Sequence, residues 1–214
     1  MRALAKIRRE TLPVLAIDLG GVLVFFDHWK TCRAVEEKYD IPAGFVHKAI
    51  FLGGIERSFD KGESMPKDFL AQCEEALGIR LDGPWFKNAW SDIFTPNRPV
   101  IRLLAELAPD YRLILCSNTN EWHYEQAAKL VPLLTEFDAL VLSYRVGAVK
   151  PDPLFFESLL GIAGHRTPVY FVDDVPAFVG SAESFGFKGS VYCNPINLHS
   201  TIQRWRTTCL PRRI

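Results

Sequence analysis

Four apolar runs of strand length dominate the chain, and each stops abruptly at polar residues. Val14-Leu15-Ala16-Ile17 stops at Asp18, and Tyr111-Arg112-Leu113-Ile114-Leu115-Cys116 stops at Ser117-Asn118. Ala139-Leu140-Val141-Leu142 stops at Ser143, and Val169-Tyr170-Phe171-Val172 stops at Asp173-Asp174. Ser190-Val191-Tyr192-Cys193 is a fifth, weaker run. Runs that are apolar throughout, instead of alternating, indicate strands buried on both faces. Helical patterns lie between them, over Val100 to Leu107, Asn120 to Leu130, Pro153 to Leu160 and Pro176 to Phe185. Asn97 is placed to cap the first of these, and Pro109 follows its end. Alternation of this kind predicts an α/β fold: a doubly wound parallel sheet with helices on both faces.

From His28 to Thr95 the alternation lapses. The spacing predicts helices over roughly 30–39, 66–77 and 84–94, with no convincing strand. Three of the five tryptophans, Trp29, Trp85 and Trp90, fall here. The simplest organisation is a core of residues 1–27 and 96–214, interrupted by an all-helical insert of residues 28–95. Phe51, Phe59, Phe69 and Phe86 are expected to form the insert's own core rather than line a pocket.

Composition narrows the classes of function. A chain of 214 residues suffices for one well-buried domain or a domain with a sizeable insert. Its 25 basic and 25 acidic side chains cancel, which argues against nucleic acid or an anionic membrane as a partner. No run of about eighteen apolar residues is present to span a bilayer. The charges of Arg2, Lys6, Arg8 and Arg9 interrupt any secretion-signal pattern. The five cysteines show no C-x-x-C spacing, consistent with a reducing compartment. A soluble, cytoplasmic protein is expected, with the basic ends (Arg2 to Arg9, Arg204 to Arg213) as solvated tails.

Ligands of open α/β sheets sit outside the carboxyl ends of the strands, so the polar residues ending the runs are the candidates. Asp18-Leu19-Gly20-Gly21 reads as a turn, or as a carboxylate nucleophile with glycines that let backbone N–H groups approach an anion. Ser117-Asn118-Thr119-Asn120 reads as a helix cap, a phosphate cradle, or both. Lys150 before Pro151 is a surface charge or a counter-charge for a phosphoryl group. Asp173-Asp174 is the strongest signal. Adjacent carboxylates leaving a buried strand repel one another, and a hard divalent cation such as Mg²⁺ offsets that cost. The bland reading is that Asp174 caps the helix starting near Pro176. The four sets together supply a nucleophile, a cradle, a counter-charge and metal ligands.

Asp18-Leu19-Gly20-Gly21-Val22, Ser117-Asn118-Thr119-Asn120, Lys150-Pro151-Asp152-Pro153 and Phe171-Val172-Asp173-Asp174 resemble the four motifs of the haloacid dehalogenase (HAD) superfamily. Within it, they look most like the branch of glucose-1-phosphate phosphatase-like enzymes. The resemblance implies a Rossmann-like core, a small α-helical cap after the first strand, and hydrolysis of a small soluble phosphate, a sugar phosphate or a nucleotide. Asp18 would form an aspartyl-phosphate. Ser117, Asn118, Gly20, Gly21 and Lys150 would bind the phosphoryl group. Mg²⁺ would be held by Asp18, the Gly20 carbonyl, Asp174, and Asp173 directly or through water.

Two positions depart from that pattern. Gly20 stands where most phosphatases of the superfamily carry a second aspartate for acid–base work; Asp27 or His28 is the candidate substitute, against a hinge residue and a surface histidine. Phe178 replaces a polar residue common after the fourth motif. Arg57, in Gly53 to Phe59, is a candidate substrate contact. Two alternatives stay open: a 2-haloacid dehalogenase, disfavoured by the paired aspartates, and a non-catalytic phosphate-binding protein.

Overall fold

The structure, a computed structural model, describes residues 10–209. The basic stretch Arg2 to Arg9 lies outside the described residues, as do residues 210–214. The strands are β1 (Val14–Ile17), β2 (Val24–Phe26), β3 (Phe94–Pro96), β4 (Arg112–Ser117), β5 (Ala139–Leu142), β6 (Val169–Asp173) and β7 (Lys188–Val191). The helices are α1 (His28–Tyr39), α2 (Ile55–Asp60), α3 (Pro66–Leu77), α4 (Gly83–Ser91), α5 (Arg98–Leu107), α6 (Glu121–Leu130), α7 (Ser143–Val146), α8 (Pro153–Ala163), α9 (Pro176–Ser184) and α10 (Pro195–Cys209).

The main sheet runs β5-β4-β1-β6-β7, parallel throughout. β1 is central, and all four of its side chains are fully buried. Leu15 and Ile17 pack into one apolar layer, whereas Val14 and Ala16 pack into the other. This two-sided burial is why the strand is apolar at every position. Ile17 is in register with Leu115 of β4 and Val172 of β6. Asp18 and Asp173 are the next residues after Ile17 and Val172, and Ser117 lies two past Leu115, so all three gather at one edge of the sheet.

Residues 28–91 build a separate apolar cluster on helices. Phe59 and Phe69 stack at 4.2 Å, and Phe86 and Trp90 join them, so three of the four expected phenylalanines are core. Phe51 is only partly buried and also touches the His28 ring. Trp122 of α6 enters the same cluster edge-on to Phe59 and Phe69, which seats the insert on the core.

The structure corrects several boundaries. Phe94–Pro96 is a strand and not a helix end; it pairs antiparallel with β2 where the chain passes into and out of the insert. Three-residue strands carry too little pattern to be read. Two further helical segments, a π-helical turn at His47–Leu52 and α2, were not expected. Asn97 sits at the N-cap of α5, but its amide donates to the Val22 carbonyl and to Tyr192 Oη instead. Arg204 and Arg206 belong to α10 and not to a tail, and Arg206 pairs with Asp110 at 2.9 Å. Among the described residues no helix is long and apolar enough to cross a membrane.

Candidate active site

Lys150 is the hub. The residue is 2% exposed, and its ammonium reaches Asp173 Oδ2 at 2.6 Å, the Cys116 carbonyl at 2.9 Å and Asp18 Oδ1 at 3.0 Å. Three acceptors match its three N–H donors. Burial works against this charge, but the pull of Asp18 and Asp173 outweighs it, so its pKa is raised and it stays ionised. Asn118 holds the loop from beneath: Nδ2 donates to the Lys150 carbonyl and Oδ1 accepts from the Lys150 N–H. The Phe178 ring lies 5.2 Å from the ammonium, so this departure covers Lys150 with an aromatic face.

Asp18 is buried, and Leu19 N–H donates to its Oδ1 at 2.7 Å. Burial pushes its carboxyl up to about 7, against the lowering influence of Lys150. Asp173 is fully buried with both oxygens engaged, Oδ2 by Lys150 and Oδ1 by the Val175 N–H. Asp174 is exposed, and its carboxyl is raised by burial of part of the group and by Asp173. It does not cap α9; Val175 occupies that position.

Asp18, Asp173 and Asp174 each present a ligand atom within 4.8 Å of the others. Three carboxylates share one ammonium, so the ionised cluster is two charges short of neutral. The donor set thus fits a hard divalent cation. Gly21 keeps the approach open: at φ 69°, a Cβ there would lie 2.1 Å from Asp174 Oδ2. Asp173, expected to act directly or through water, has its oxygens engaged by Lys150 and the Val175 N–H while still presenting a ligand atom to this cluster. Gly21 is corrected, because its N–H donates to the Val24 carbonyl at 2.8 Å and is not presented to an anion.

Beside this cluster lies a cavity of about 170 Å³. Gly20, Ser117, Asn118 and Thr119 line it from the core. His28, Glu56 and Asp60 line it from the insert, and Phe26, Phe94 and His123 also contribute. Asn120 caps α6 through Oδ1, which accepts from the His123 N–H, while its Nδ2 donates to Asp60 Oδ1 at 2.8 Å. His123 Nε2 lies 3.0 Å from the Trp90 carbonyl, which assigns the proton to Nε2 and leaves Nδ1 to accept from Asn120. Burial drives His123 down to about 3 and His28 down to about 4. Burial raises Glu56, and burial together with Glu56 raises Asp60 well above the ordinary carboxylate range.

Of the acid–base candidates, His28 lines the cavity, whereas Asp27 caps α1 through the Trp29 N–H and pairs with Arg33 at 3.1 Å. Arg57 is exposed and lines a different, open groove with Lys61, Val149 and Pro151. Glu56, Asp60 and His123 escaped the sequence reading. The one signal for the acids was their i, i+4 spacing, which on a helix ordinarily marks a solvated face.

No protein-family model matches the chain. The bifunctional epoxide hydrolase 2 of Sus scrofa is 27% identical over 197 residues, covering 82% of this chain and 35% of that protein. The chain thus spans about a third of that relative's length. The D-ribitol-5-phosphate phosphatase of Bacteroides thetaiotaomicron is 28% identical over 185 residues, covering 81% and 88%. The HAD family enzyme bt-2542 of the same organism, solved with magnesium and inorganic phosphate, superimposes with TM-score 0.74 at 25% identity, covering 85% of this chain and 94% of that one. The parallel α/β fold is shared with that HAD family enzyme. The chain is similar in sequence and fold to haloacid dehalogenase (HAD) family enzymes, and it is a hydrolase of that kind.

Proposed function

We propose that the protein is a Mg²⁺-dependent phosphomonoester hydrolase that acts through an aspartyl-phosphate on Asp18. The observation that carries this reading is the buried Asp18 held by Lys150 beside Asp173 and Asp174, at the carboxyl edge of a parallel sheet. The magnesium in the bt-2542 structure supports the choice of cation. Asp18, Asp174 and the Gly20 carbonyl would hold it, and when bound it screens the repulsion between carboxylate and phosphate.

Lys150 and Leu19 both engage Asp18 Oδ1, so Oδ2 is the oxygen left to attack phosphorus. Lys150 neutralises charge on the phosphoryl oxygens, and the Ser117 hydroxyl and Asn118 backbone bind them. Water then opens the aspartyl-phosphate and frees Asp18. The insert is the cap over this site; with the core it forms the two units delimited above, residues 28–95 and the remainder. The cavity of about 170 Å³ suits a small sugar or polyol leaving group better than a nucleoside. The phosphatase relative's name, D-ribitol-5-phosphate phosphatase, points the same way.

A panel of sugar, polyol and nucleoside phosphates, assayed with Mg²⁺ and with chelator beside Asp18→Asn, tests the reading. Phosphate release that needs Mg²⁺ and vanishes in the variant supports it. Halide release from 2-haloacids without metal, or phosphate binding without turnover, would overturn it.

A further inference from the structure

Release of an alkoxide from a phosphate ester needs a proton, and position 20 has no side chain to give one. The space there is already filled: a Cβ on Gly20 would lie 2.8 Å from Phe26 Cε1. The donor must therefore stand elsewhere on the wall of the cavity that Gly20 lines. The same cavity is lined by two carboxyl groups one helical turn apart, Glu56 and Asp60 of α2. Asp60 is anchored to the core twice, through Oδ1 to Asn120 Nδ2 and through its carbonyl, which accepts from the Ser143 hydroxyl. Glu56 Oε1 lies 4.0 Å from His28 Nε2. Arg57 pulls on both acids from outside the cavity, but burial outweighs it. His28 and His123 are held neutral by burial, and Arg57 is exposed and lines the other groove. Two such carboxyl groups in one sheltered wall retain a proton between them.

We propose that the Glu56–Asp60 pair donates and takes back the leaving-group proton, in place of the side chain absent at position 20. This rests on the phosphatase reading above. As Asp18 Oδ2 bonds to phosphorus and the ester P–O bond breaks, the pair's proton passes to the departing oxygen, which leaves as an alcohol. Water then attacks phosphorus and yields one proton to the pair. The bond between phosphorus and Asp18 breaks, phosphate departs, and both Asp18 and the pair return to their starting states.

The experiment compares kcat for an alkyl ester, ribitol 5-phosphate, with kcat for p-nitrophenyl phosphate, whose leaving group departs without a proton. The variants are Glu56→Gln, Asp60→Asn and the double substitution. In each, the alkyl-to-aryl kcat ratio falls by roughly 10²-fold or more, the scale of general acid catalysis. The double variant falls no further than the worse single one, because the two groups hold one proton jointly. Glu56→Gln alters a partly buried side chain that lies 4.0 Å from the neutral His28 and does not anchor α2 to the core, so its result stands even if Asp60→Asn loosens the cap. Equal loss on both esters, or an unchanged ratio in Glu56→Gln, overturns the proposal. If the parent hydrolyses neither ester, it is the phosphatase reading that fails.

Discussion

Lys150 Nζ lies 2.6 Å from Asp173 Oδ2, and neither side chain is accessible to solvent beyond 1%. A buried pair of this kind contributes little net stability while intact, but losing one partner strands the other charge. The lysine thus organises the site by holding Asp18 and Asp173 together.

Lys150→Met should therefore lower the unfolding free energy by about 3 kcal/mol, because it leaves Asp173 buried without its counter-charge. Urea unfolding would measure this. Lys150→Met combined with Asp173→Asn should recover part of the loss while remaining inactive. A double variant as unstable as the single one would contradict the pairing.

Mg²⁺ should stabilise the folded chain by mass action, by about 2.7 kcal/mol at a hundred times the dissociation constant. That corresponds to a Tm rise of roughly 5–10 °C for a chain of this size. Asp174→Asn should remove most of the shift. Thermal scans with and without the ion provide the check, independent of any activity.

Gly21→Ala tests the approach to Asp174. Its φ of 69° costs an alanine roughly 1–2 kcal/mol, and the new Cβ would fall 2.1 Å from Asp174 Oδ2. Stability should drop by about that strain, and the Mg²⁺-dependent Tm shift should shrink with it. A variant that keeps the full shift would mean Asp174 does not face the ion.

The pH dependence follows from His123. Its pKa is lowered from 6.5 to about 3 by burial, so the unfolded chain binds the proton first on acidification. Its contribution is intact above pH 6.5 and is lost progressively as pH falls toward 3. Each pH unit in that window costs about 1.4 kcal/mol. The raised carboxyls of Asp60 and Glu56 act in the opposite direction, so the comparison must be with a variant. Between pH 7 and 4.5 the parent should lose about 2–3 kcal/mol more than His123→Gln.

The strand-tip residues were legible because the apolar runs around them have one physical explanation. A strand covered on both faces must be apolar at every position, and the first polar residue marks where it leaves the sheet. Asp18, Ser117 and Asp173 followed from that alone, as did the parallel order of the core. Gly20 was visible as a gap, but what shares its cavity was not. Glu56 and Asp60 sit on a six-residue helix whose acids look solvated in one dimension. Only the seating of α2 against Asn120 and Ser143 turns them inward. Asp173 shows the same limit at closer range: sequence placed it in the acidic cluster, but only the fold shows its oxygens engaged by Lys150 and the Val175 N–H. Local pattern determines where a chain enters and leaves its core, since burial acts residue by residue. Which polar groups meet there depends on contacts between segments distant in the chain, and those exist only once the cap has closed on the sheet.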